Sequence, residues 1–114
     1  MKKMLTVLSV LGFALGMTAC SSGPDCASVC DKQGGCPDAT AEATANCKTM
    51  CDEYQKCADA TSCGSEFDDV LSCENDNACS TSTTSPCATQ QTAIGTCIEK
   101  DIAANPTHGT SCNF

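Results

Sequence analysis

Asp25-Cys26-Ala-Ser-Val-Cys30-Asp-Lys-Gln-Gly-Gly-Cys36 and Asn46-Cys47-Lys-Thr-Met-Cys51-Asp-Glu-Tyr-Gln-Lys-Cys57 carry one cysteine pattern twice, C-x3-C-x5-C. Residues four apart share a helix face, so each C-x3-C sets two sulfurs one turn apart on one side of a helix. Two such helices laid antiparallel can be stapled at two levels. A second matched pair follows, Cys63-x9-Cys73 and Cys87-x9-Cys97. A ten-residue step is close to three turns at about 3.6 residues each, so these sulfurs also fall near one helix side. Cys79 and Cys112 complete the set.

Local signals agree with helices. Asp25 is placed to cap a first one over about 26–33, which Gly34-Gly35 ends. Thr40 caps a second over about 41–56, with Ala43, Cys47, Met50, Cys51 and Tyr54 on one stripe. Ser65 with Asp68 resembles a capping box for a third helix that carries Phe67, Val70 and Leu71 through to Cys73. Ser85-Pro86 supplies an N-cap and first-turn proline for a fourth, whose inner side holds Ile94, Cys97, Ile98 and Ile102. Asn105-Pro106 stops it, and Ser80 to Ser85 reads as a polar loop. Strand signals are nearly lacking. The expected fold is all-α: a small disulfide-stapled bundle of about four short helices in two hairpins.

The pairing that follows from antiparallel hairpins is Cys26–Cys51 with Cys30–Cys47, then Cys63–Cys97 with Cys73–Cys87. That leaves Cys36–Cys57 and Cys79–Cys112, with Cys79–Cys87 across the Ser/Thr loop as a competitor. Cysteine spacing does not decide among these pairings.

The amino terminus is an address. Lys2 and Lys3 precede an apolar stretch, Leu5 to Met17, of 13 residues. A bilayer core of about 30 Å needs roughly 20 residues to span, so this stretch is a secretory signal and not a membrane span. Met17-Thr18-Ala19-Cys20 resembles the lipobox of bacterial lipoproteins, with Met in place of the usual Leu. The resemblance implies cleavage between Ala19 and Cys20, a diacylglyceryl group on the Cys20 thiol and acylation of its new amino group. Ser21 after the cysteine resembles an outer-membrane sorting choice. Cysteine parity supports the assignment: setting Cys20 aside from 13 cysteines leaves an even number that can pair completely. The expected organisation is a signal peptide over 1–19, a lipidated cysteine and tether over 20–25, and a Cys-rich helical domain over 26–114.

Removing Lys2 and Lys3 takes the formal charge from −8 to −10, and the chain contains no arginine. This balance disfavours nucleic acid and anionic lipid surfaces as partners. In the expected mature part, residues 20–114, large apolar residues are few: Val29, Met50, Tyr54, Phe67, Val70, Leu71, Ile94, Ile98, Ile102 and Phe114. With cysteine this dense in an exported chain, disulfides are expected to form and to supply what so thin a core cannot.

Beyond the lipobox, the twin C-x3-C is similar to that of small mitochondrial intermembrane chaperones and plant hairpin peptides. The twin C-x9-C is similar to coiled-coil–helix proteins. The whole chain most resembles the Cys-rich helical lipoproteins numerous in myxobacteria and related deltaproteobacteria, a largely uncharacterised family. That resemblance implies the fold and the address and no particular activity.

Chemistry-bearing motifs are scarce. The C-x3-C pairs formally fit zinc spacing, but export and even parity favour disulfides, so no metal and no cofactor is expected. His108, the one histidine, falls in the polar turn Thr107-His108-Gly109-Thr110 and reads as an exposed loop residue. Asp68-Asp69 and Asp52-Glu53 are helix neighbours that point apart. Asn75-Asp76-Asn77 is reminiscent of a calcium loop without its ligand spacing. No catalytic residue is expected. The chain reads as a non-enzymatic, membrane-anchored lipoprotein, structural or binding another protein. The alternative is a disulfide-scaffold inhibitor or small-ligand or metal binder, with an exposed loop such as 80–86 as the binding element. In a fractionation experiment, Cys20→Ser is expected to leave the membrane pellet while retaining six disulfides on non-reducing mapping.

Overall fold

Asp25 begins the fold as the spacing predicts. In the computed structural model, which describes residues 23–113, its carboxylate accepts the Ser28 N–H at 2.8 Å. The Ser28 hydroxyl accepts the Asp25 N–H in return at 3.1 Å, closing a reciprocal cap. Helix α1 then runs Cys26–Gly34. Helix α2 covers Ala41–Ala60, opened by Thr40, whose hydroxyl accepts the Ala43 N–H at 3.1 Å. Helix α3 spans Gly64–Asp76, helix α4 spans Ala88–Ala104, and a 3₁₀ helix closes the chain over Pro106–Cys112. The described residues contain no strand. The expected signal peptide over 1–19, with Cys20, Ser21, Ser22 and Phe114, lies outside them.

Six disulfides staple these helices. Cys26–Cys51 and Cys30–Cys47 join α1 to α2 antiparallel, and Cys63–Cys97 and Cys73–Cys87 do the same for α3 and α4. The two hairpins therefore form as the spacing predicts. The remaining pairs differ from expectation: Cys36 bonds Cys79, and Cys57 bonds Cys112. The expected Cys36–Cys57 is ruled out by the hairpin's own register. A register that sets Cys30 against Cys47 sets position 41 against Cys36. Cys57 lies sixteen residues beyond that point, about 24 Å away at 1.5 Å per residue. Cys79 and Cys112 are separated in the same way, at opposite ends of the second hairpin.

Thus α1 and α3 run parallel, from the end at Asp25 to a far end, and α2 and α4 return. Cys26, Val29, Ala58, Cys63, Phe67, Leu71 and Ile94 form the buried cluster, with Tyr54, Val70 and Ile98 packed against it. The Tyr54 ring stacks on Phe67 with centroids 6.2 Å apart. At the far end, Gly34 is where α1 meets α2. A Cβ there would lie 2.5 Å from the Thr44 hydroxyl, so only glycine fits without displacement.

Tertiary constraints shift several boundaries. Helix α2 extends to Ala60, past the expected end near 56, because Cys57 and Ala58 are buried and must stay on the helix. Thr61, also buried, ends it by donating its hydroxyl to the Cys57 carbonyl at 2.8 Å. Ser62 then turns the chain at φ 56°, a left-handed conformation rare outside glycine. The Ser65–Asp68 capping box does not form. Cys63 takes the N-cap position with no side-chain cap, and Ser65 donates instead to Glu66 at 3.0 Å. Helix α4 starts at Ala88, two residues after Pro86, with the fully buried Cys87 at its N-cap position, while Ser85 and Pro86 form the turn before it. Asn105-Pro106 stops α4 as expected, but the polar turn beyond is a 3₁₀ helix packed on α2 and α4.

The Asp25 cap is pH-sensitive. The Ser28 N–H, and then the Ser28 hydroxyl, hold the Asp25 carboxyl below its ordinary value of 3.8. A group depressed in the folded state stabilises above its unfolded value and loses that contribution as pH falls through the folded one. Amide exchange at Ser28 is accordingly expected to accelerate as pH drops below 3.8. In Asp25→Asn that acid-dependent step should disappear once intrinsic exchange rates are divided out.

Candidate functional site

A groove opens between the two hairpins. Its floor is Val29, Phe67, Leu71 and Ile94, and its walls are Met50, Tyr54 and Val70 with the Cys30–Cys47 bridge and Cys51. It encloses about 510 Å³. All four α-helices contribute, because each presents an apolar stripe and the two hairpins meet over only part of it. Met50 is the departure from the expected α2 stripe. Its side chain is not packed inside; the residue is 63% exposed, on the groove's rim.

One end of the groove is polar. Gln33, Glu74 and Gln91 stand one helical turn beyond Cys30, Leu71 and Ile94, each toward the far end of the bundle. The Glu74 carboxylate accepts the Gln33 amide at 3.2 Å on one oxygen and the Gln91 amide at 3.1 Å on the other. Glu74 is the one carboxylate lining the groove, and both of its oxygens are engaged by neutral donors from the same rim. Gln33 Oε1 sits 3.5 Å from Cys47 Sγ, a contact without a donor since that sulfur is disulfide-bonded. None of these three polar residues stood out in the sequence. The signal that could have found them is their spacing, one turn past a buried apolar residue on three different helices.

The other sites suggested by the sequence are placed as follows. The twelve cysteines at 26, 30, 36, 47, 51, 57, 63, 73, 79, 87, 97 and 112 are all in disulfides. The cluster of Cys63, Cys97 and Glu66 has metal-like proximity, but its two sulfurs are bonded to each other and offer no thiolate. Asp52, Glu53, Asp68 and Asp69 lie exposed on helix surfaces. Asn77 spends its amide on the Cys73 carbonyl at 2.8 Å, capping α3, and Lys32 borders the same shallow cleft as Asn75 and Asp76. His108 is not the free loop residue expected. Its Nδ1 lies 2.6 Å from Asp101 Oδ2, a partly buried contact that ties the 3₁₀ helix to α4. Comparison with family models, with curated proteins and with solved structures finds no match to this chain.

The rim geometry carries its own test. Glu74→Ala removes the acceptor of two amide groups on a partly exposed rim. It is expected to lower stability by about 1 kcal/mol, the scale of an ordinary intramolecular hydrogen bond. Urea denaturation of the variant against the parent measures this, and an unchanged midpoint would show that the rim is not held by Glu74.

Proposed function

We propose that this chain is a non-enzymatic lipoprotein of the bacterial envelope, held to the outer membrane through Cys20 and binding an uncharged apolar small molecule in the inter-hairpin groove. The observation that supports binding is the groove itself: mostly apolar, of a volume within the 300–1,000 Å³ usual for small-molecule sites, and polar at one end only. Glu74 keeps its negative charge while one amide engages each of its oxygens, so the rim itself disfavours an anionic ligand. An anionic ligand would also meet a domain with a formal charge near −10 after loss of Lys2 and Lys3 from a total of −8. A neutral ligand with an apolar body and one hydrogen-bonding end fits this arrangement. The address rests on the resemblance of Met17-Thr18-Ala19-Cys20 to a lipobox. Among the described residues no helix is long and apolar enough to cross a membrane. The likeness to Cys-rich myxobacterial lipoproteins is part of the same proposal.

The test uses the uncharged fluorophore N-phenyl-1-naphthylamine with the Cys20→Ser protein. Saturable binding is expected. Met50→Lys, a change at an exposed rim position, should weaken it about tenfold through loss of one apolar contact of roughly 1.5 kcal/mol. A folded protein with all six bridges that shows no saturable binding would overturn the groove reading and leave the anchor untouched.

A further inference from the structure

We infer that the loop between Cys79 and Cys87 is an acceptor site for hydroxyl-linked carbohydrate, with Thr81, Thr83 and Thr84 as the modified residues. Ser80, Thr81, Ser82, Thr83, Thr84 and Ser85 are six consecutive hydroxyl side chains followed by Pro86, and all seven residues are exposed. Ser/Thr runs with proline are a composition that carries O-linked sugar and has no means of building a packed core.

The hydroxyls are not equivalent. Ser80 accepts the Ser82 N–H, Ser82 accepts the Thr84 N–H and Ser85 accepts the Cys87 N–H, at 3.3–3.4 Å. The serines thus stiffen the loop by local turns. Among the described residues no hydrogen bond engages the hydroxyls of Thr81, Thr83 or Thr84, so these three stand free in water.

Its position is suited to modification. Cys79 is tied to Cys36 and Cys87 to Cys73, so the loop is clamped at both feet against the far end of the bundle. That is the end opposite the tether, and, on the lipid-anchor reading proposed above, the end turned away from the membrane. Segment 77–87 contains no charged side chain. Phosphate would add negative charge near Asp76, which lines the same cleft as Ser80, in a domain already strongly acidic, whereas sugar adds bulk and hydroxyls without charge. The transfer requires a sugar activated as a nucleotide or lipid-phosphate ester. The bond from the anomeric carbon to the phosphate oxygen breaks, and the phosphate leaves with its electron pair. The anomeric carbon bonds to the threonine Oγ1, whose proton passes to a base on the transferase.

The test is mass analysis of the full-length protein purified from the envelope of the cells that make it. After reduction, cleavage at acidic residues gives a peptide spanning Asn77 to Glu99. Sugar-sized increments on this peptide, placed by electron-transfer fragmentation at Thr81, Thr83 or Thr84, are expected. The triple variant Thr81→Ala, Thr83→Ala, Thr84→Ala should lose the increments while keeping six disulfides. A peptide at its unmodified mass, a phosphate-sized increment, or sugar confined to Thr89, Thr92 or Thr96 would each overturn the inference. The lipid on Cys20 is read on a different peptide, so failure of the anchor is distinguishable from failure of the glycan.

Discussion

Register is the constraint on which everything else in this molecule depends. Two bridges within one hairpin leave its helices a single alignment, and each hairpin here has two. Once Cys26–Cys51 and Cys30–Cys47 are made, every residue of α1 has a defined neighbour on α2, and the second hairpin obeys the same rule. Cys36 and Cys79 then emerge at one end of the bundle, and Cys57 and Cys112 at the other. The last two bridges link what is already adjacent and join the hairpins to each other. An apolar cluster of a few large side chains suffices because covalent links do the aligning that a larger core does elsewhere.

Magnitudes explain where local signals lost. A helix N-cap contributes about 1 kcal/mol, and a disulfide typically about 2–4 kcal/mol. Ser65 and Ser85 are good caps in isolation, but Cys63 and Cys87 are both fully buried bridge cysteines placed two residues away. The chain starts α3 and α4 where the bridges demand, and the serines make other contacts. Asp25 and Thr40 cap where expected because no competing constraint acts on them.

Much of the fold was therefore legible, and one error was avoidable. The α-helical class and the two hairpins follow from spacing and capping signals, and the four hairpin bridges are those expected once the helices are laid antiparallel. Extending the hairpin register along each helix also excludes Cys36–Cys57 and Cys79–Cys112. The expected Cys36–Cys57 would have to join opposite ends of one hairpin. The groove was a different matter. Its shape depends on how the two hairpins lean against each other, and no bridge spacing within a hairpin encodes that angle. Met50 sits on the expected stripe yet faces outward, since the stripe is wider than the surface the second hairpin covers. Gln33, Glu74 and Gln91 come from three separate helices, so their meeting is a product of tertiary packing.

The overlapping spans of the six bridges have a consequence for durability. The loops 26–51, 36–79, 57–112 and 63–97 together enclose every peptide bond from Cys26 to Cys112. A protease that severs any one of those bonds produces two pieces that remain a single covalent molecule. The stretch before Cys26 has no such insurance, being spanned by none of these bridges. Under proteolytic attack a cut before Cys26 is thus one that separates a piece from the stapled domain, and on the lipid-anchor proposal it would release that domain intact.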